Sequence, residues 1–159
     1  MLHAENGIAK MDDAKVRAML KMAWYREGAT VGVIRGPQRL EACILLLLTS
    51  FWYSREPHIE EMLAFVHPHH RRTKHADLLI EFAKENAEQI STAAGFKVPL
   101  VIGILTNSRT AEKVRLYRRR LGYPAGAMFV HNATWPNDPA GHDFWRGVFP
   151  RRQPQARER

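Results

Sequence analysis

The pattern of apolar and polar residues predicts a mixed α/β fold, a central mixed sheet flanked by helices. Three observations carry that expectation. Apolar runs of strand length recur over 40–51, 59–66 and 100–105. Segments with helical spacing stand before, between and after them, and Gly or Pro punctuates most junctions.

The elements follow in order. Asp12 or Asp13 can cap a helix whose apolar face is Val16, Met19, Leu20, Ala23 and Trp24, with Gly28 as its stop. A short strand over 30–35 ends in the Gly36-Pro37 turn. The apolar segment 42–53 is too short to cross a bilayer, so it reads as part of a buried strand from Leu40 to about Phe51. A polar break through Ser54 to Pro57 precedes the third strand, 59–66. Leu79, Phe82, Ala83, Ala87 and Ile90 then mark a helix over about 75–92, closed by Ala94-Gly95. A strand over 100–105 and a helix over 109–121 come next, the helix burying Ala111, Val114, Tyr117 and Leu121 and ending at Gly122. The last clear strand is expected over 127–131. The hairpin-rich first half should be antiparallel, and the strand–helix–strand unit from 59 to 105 a right-handed parallel crossover. Residues 1–150 make one domain, with no repeats. In it, 1–10 carry no pattern, and aromatic residues in 135–150 suggest packing. The basic tail 151–159 is expected to be disordered.

At 159 residues the chain can bury one core. Twenty-four Lys and Arg against sixteen Asp and Glu give a net charge of +8, which points to an anionic ligand or partner: a nucleotide cofactor, nucleic acid or an acidic protein. The single cysteine, Cys43, excludes an internal disulfide and fits a reducing compartment. No charged-then-apolar leader opens the chain, so a cytoplasmic protein with no membrane partner is expected.

The stretch from Phe65 to Leu79 is the functional landmark. An apolar strand runs into a loop bearing Arg71, Arg72 and Lys74 and no acid, and a helix starts at once. Such a loop is an anion site, because the free N–H groups and positive dipole end of the helix face the guest. The alternative is a solvated basic turn. His67, His69, His70 and His75 could be read as a metal site. However, a strand end and a loop do not fix ligand geometry, and no Cys or Asp sits beside them, so no metal is expected.

The sequence Arg71-Arg72-Thr73-Lys74-His75-Ala76 resembles the Arg/Gln-x-x-Gly-x-Gly/Ala signature of the GNAT N-acetyltransferases, with Lys74 where that family has its central glycine. Leu116-Tyr117 followed by Leu121-Gly122-Tyr123 resembles the family's Leu-Tyr-x-x-x-Gly-Phe ending, with one extra residue before the glycine. The resemblance covers roughly residues 12–131 and implies a GNAT-like fold with acetyl-CoA as co-substrate. The cofactor's pyrophosphate would lie on Arg71, Arg72, Thr73, Lys74, His75 and Ala76, and its pantetheine between two splayed strands. A backbone N–H of Phe65 or Val66 would polarise the thioester carbonyl, and Asn107 stands where the family's asparagine would, farther from the tyrosine; the other reading of Asn107-Ser108 is a cap of the following helix. Tyr117 would protonate the leaving thiolate; the other reading of Tyr117 is a core residue. Glu60 is the residue nearest the family's catalytic glutamate and the first candidate for general base, with Glu61 and His67 as alternatives. Alternation places Glu60 and Glu61 on opposite faces of their strand.

Two functions follow. One is an N-acetyltransferase acting on a primary amine, in one version an amine linked to nucleic acid, with a homodimer left open. The other is a GNAT-fold nucleic-acid-binding module with weak or no catalysis, using Arg109, Lys113, Arg115, Arg118, Arg119, Arg120 and the basic tail for phosphate contacts.

Overall fold

The computed structural model describes residues 11–104 and 109–126. They belong to two units, one within Lys10–Gly103 and the other within Ile104–Arg159. The expected strand over 127–131, the segment 135–150, the tail, residues 1–10 and Asn107 lie outside the described residues.

The first unit opens with α1 (Asp13–Tyr25), capped by Asp12, whose carboxylate accepts from the N–H groups of Ala14 and Lys15. The helix stops earlier than Gly28, because Arg26 takes up a left-handed conformation and its N–H turns back to Ala23 and Met22. Three antiparallel strands follow: β1 (Ala29–Arg35), β2 (Leu40–Ser50) and β3 (Pro57–Val66). A short 3-10 turn at Pro68–His70 leads to α2 (His75–Ala94), which ends on a left-handed Gly95. The chain returns as β4 (Leu100–Val101), parallel to β3, giving the sheet order β1-β2-β3-β4. The mixed sheet and its parallel crossover are those expected from sequence, but of the described residues 100–104 only Leu100 and Val101 pair as strand.

Alternation along β2 divides the core in two. Ala42, Ile44 and Leu46 point to α2 and meet Leu79, Ala83 and Ala87, with Ile59 and Val98 completing the cluster. Leu45 points the other way and meets Ala23 of α1 and Ala29. Small residues on α2 let the helix lie close to the sheet. Glycine does the same from the strand side: a Cβ on Gly32 would sit 2.7 Å from Cδ1 of Phe82. The second unit contributes α3 (Thr110–Leu121), in which Val114 is buried and Gly122 receives the helix end.

A Gly32→Ala variant should therefore lose about 1–3 kcal/mol, the usual cost of overpacking a filled site. Urea denaturation would show it as a lower midpoint at unchanged slope.

Candidate functional site

β3 carries an irregularity that sets everything downstream of it. Leu46 pairs with Glu61 and Leu45 with Leu63, so Met62 is an extra residue in the strand. This is a β-bulge, and it reverses the parity of the side chains. Before it, Ile59 faces α2; after it, Ala64 and Val66 do. The pairing of β3 with β4 involves only Ile59 and Glu60, although β3 continues to Val66. Among the described residues, that edge of β3 is unpaired by strand beyond Glu60.

The loop that follows is tied to the sheet at several points. The N–H of His67 donates to the Glu41 carbonyl at 2.7 Å, and Nε of Arg71 donates to the Val66 carbonyl at 3.3 Å. Arg71 is thus turned back on the strand end. The Thr73 hydroxyl donates to the His70 carbonyl at 2.7 Å and accepts from the His75 N–H at 3.2 Å, so this side chain caps the helix start from within. Lys74 makes no side-chain cap. Arg72 and Lys74 are exposed, and Ala76 stands half-buried in the first turn of α2. The loop thus brings Val66, Arg71, Thr73 and His75 together while leaving Arg72 and Lys74 outward.

A carboxylate from another segment enters this loop. Oε2 of Glu41 lies 2.7 Å from Nε2 of His75 and 3.5 Å from Nδ1 of His70, and the two imidazoles stack at 5.6 Å. Sequence reasoning missed Glu41. The only signal was an acid just inside an apolar strand, thirty-four residues from His75.

His67 stacks on His69 at 5.2 Å. Removal of water from its imidazole lowers its pKa below the ordinary 6.5, and the positive charges of Arg39, His69, His70 and Arg71 push the same way. Burial acts on Cys43 in the opposite sense, raising its pKa and keeping the thiol protonated. The chain's only thiol is therefore a poor nucleophile.

Glu60 and Glu61 do occupy opposite faces. Glu61 pairs with Leu46 on the α2 side, and Glu60 with Leu47 on the α1 side. Glu60 is about half exposed, and its Oε2 lies 4.0 Å from Nε2 of His58. His58 was also missed. It is buried, stacks on Phe51 at 3.9 Å, and its Nδ1 is the one buried side-chain polar atom without a partner among the described residues. Tyr117 stands half-buried on α3, in the second unit.

No family model matches the chain, and no curated protein does. Solved structures match it in shape. A ribosomal-protein-alanine N-acetyltransferase from Brucella melitensis biovar Abortus 2308 aligns with TM-score 0.55 at 17% identity, over 79% of this chain and 83% of that one. Glucosamine-6-phosphate N-acetyltransferase from Arabidopsis thaliana gives 0.56 at 11%, over 79% and 80%. AAC(6')-Iy, in complex with the bisubstrate analogue CoA-S-monomethyl-acetylneamine, gives 0.56 at 10%, over 76% and 80%. At these identities the likeness is one of fold, and the fold is that of the GNAT acetyltransferases.

The lowered pKa of His67 has a consequence for pH. The folded chain resists protonating this imidazole more than the unfolded chain does. Its contribution to stability is therefore present above about 6.5 and is lost as pH falls through the lowered value. In an NMR titration the His67 ring should report a midpoint below that of a free histidine, and Arg39→Gln should move it upward.

Proposed function

We propose that this chain is an N-acetyltransferase that moves the acetyl group of acetyl-CoA to a primary amine by direct attack. One observation carries the reading. The pairing of β3 with β4 stops at Glu60, while β3 runs on to Val66 and straight into a basic loop at a helix start. An extended pantetheine arm fits an unpaired strand edge, and a pyrophosphate fits the N-terminal turn of α2 with Arg72 and Lys74 beside it. Lys74 replaces the close backbone approach of a glycine with a charge. The fold supports the same reading: the structural neighbours described above are N-acetyltransferases, and one was solved with a CoA-linked analogue.

The amine nitrogen attacks the thioester carbonyl carbon, forming the C–N bond and an oxyanion that a backbone N–H of Phe65 or Val66 stabilises. The C–S bond then breaks. Glu60, with His58 beside it, takes the surplus amine proton, directly or through water. The family resemblance gives Tyr117 the proton donated to the thiolate, a step a phenol of pKa about 10 can perform. The protonated, half-buried Cys43 supports direct attack over an acyl-enzyme route. The exposed Arg115, Arg118 and Arg119 of α3 favour an acceptor that carries phosphate, nucleic-acid-linked amines included.

Acetyl-CoA should raise the melting temperature, since a ligand of the native state stabilises it by mass action. Arg72→Glu should shrink that rise, because it sets a carboxylate against the pyrophosphate. An unchanged melting curve in excess acetyl-CoA would remove the cofactor from this reading.

Tyr117→Phe should fold and bind acetyl-CoA yet turn over about 10²-fold more slowly in an assay of CoA release across an amine panel. Equal rates in the two proteins would return Tyr117 to the core.

A further inference from the structure

We propose that Glu41, His70 and His75 form a binding site for one divalent cation of the zinc class. Oε2 of Glu41, Nδ1 of His70 and Nε2 of His75 all lie within 4.8 Å of one another, each on a side chain 16–23% exposed. Zinc bonds of 2.0–2.2 Å place tetrahedral donors about 3.3 Å apart. The 3.5 Å between His70 and Glu41 already matches, and the 2.7 Å hydrogen bond between His75 and Glu41 opens by about 0.6 Å when a metal replaces its proton.

The three donors come from segments held independently. Glu41 is the second residue of β2, and a Cβ on Gly36 would run into its carboxylate. His70 ends the 3-10 turn, and His75 is the first residue of α2. The Glu41 carbonyl also receives the His67 N–H, which fixes the loop start against β2. His70 and His75 have four residues between them, inside the three-to-five spacing of paired zinc histidines. The expectation of no metal weighed the histidines alone, without the distant carboxylate that completes the set.

Donor chemistry selects the ion. Two imidazoles and one carboxylate suit zinc and its neighbours, whereas magnesium and calcium require oxygen ligands. Arg72 and Lys74 nearby oppose diffuse cation binding, so occupancy must come from coordination. Three protein donors leave one position for water. The site shares His75 with the turn read as the pyrophosphate cradle, but it uses side chains pinned between β2 and the loop, and it can be tested without acetyl-CoA.

Calorimetric titration of the untagged full chain with zinc chloride should show one ion bound per chain. Cobalt(II) at the same site should give the visible absorption of a four-coordinate ion. His75→Ala and His70→Ala should each weaken binding by at least about tenfold, as loss of a direct ligand exceeds the 10–100-fold effect of groups behind it. His67→Ala and His69→Ala should leave it unchanged. His70→Ala keeps the Glu41–His75 hydrogen bond, so it tests the site in a folded chain; circular dichroism checks both ligand variants. No binding by the parent, or parent-like binding by both ligand variants, overturns the site.

Discussion

The arrangement of the first unit depends on the packing of α2 against β2. Ala83 and Ala87 sit over Ala42, Ile44 and Leu46, so helix and sheet approach through small side chains on one side and branched ones on the other. Burial of this kind is worth about 25 cal/mol per Å² of apolar surface. It also fixes a direction: α2 is held along the sheet with its first turn beside the end of β3. The loop between them is short and tied at both ends, so its charges stand at the helix start. The position of the candidate site is a consequence of that packing.

The bulge at Met62 does a second job. Without the extra residue, the side chains that reach the α2 core at Ala64 and Val66 would turn to the other face. With it, Glu60 and Glu61 can precede a strand end whose apolar residues still meet the core. Ile59 has its N–H paired to Pro99 and its side chain fully buried, which anchors the strand just before the irregularity. Strand edge, bulge and loop are therefore one continuous feature, in which pairing, then register, then regular structure end in turn.

Much of this was legible in the sequence because its causes are local. Asp12 announces a helix start, Gly95 a helix end, and the apolar runs of β2 and β3 their burial; each depends on residues within a turn or two. The basic loop was legible for the same reason. What was not legible depends on register. Glu-Met-Leu at 61–63 carries no mark of a bulge, since any of the three fits a regular strand. His58 became a buried histidine only because the pairing set it against Phe51, and Glu41 met His75 only because β2 and β3 close together. Likewise the run 100–105 has strand composition, but pairing with β3 decides how much of it is strand. Contacts made across the sheet leave no trace in a pattern read along the chain.

Cys43 stands near the middle of β2, opposite Val33 on one side and Phe65 on the other. Oxidants and alkylating reagents react with the thiolate, and burial keeps this sulfur in its thiol form. The chain's only cysteine is thus held toward its thiol form within the sheet. Free CoA, released in the chemistry proposed above, would then be the dominant reactive thiol in solution, so a colorimetric thiol reagent could follow turnover with little background from the protein itself.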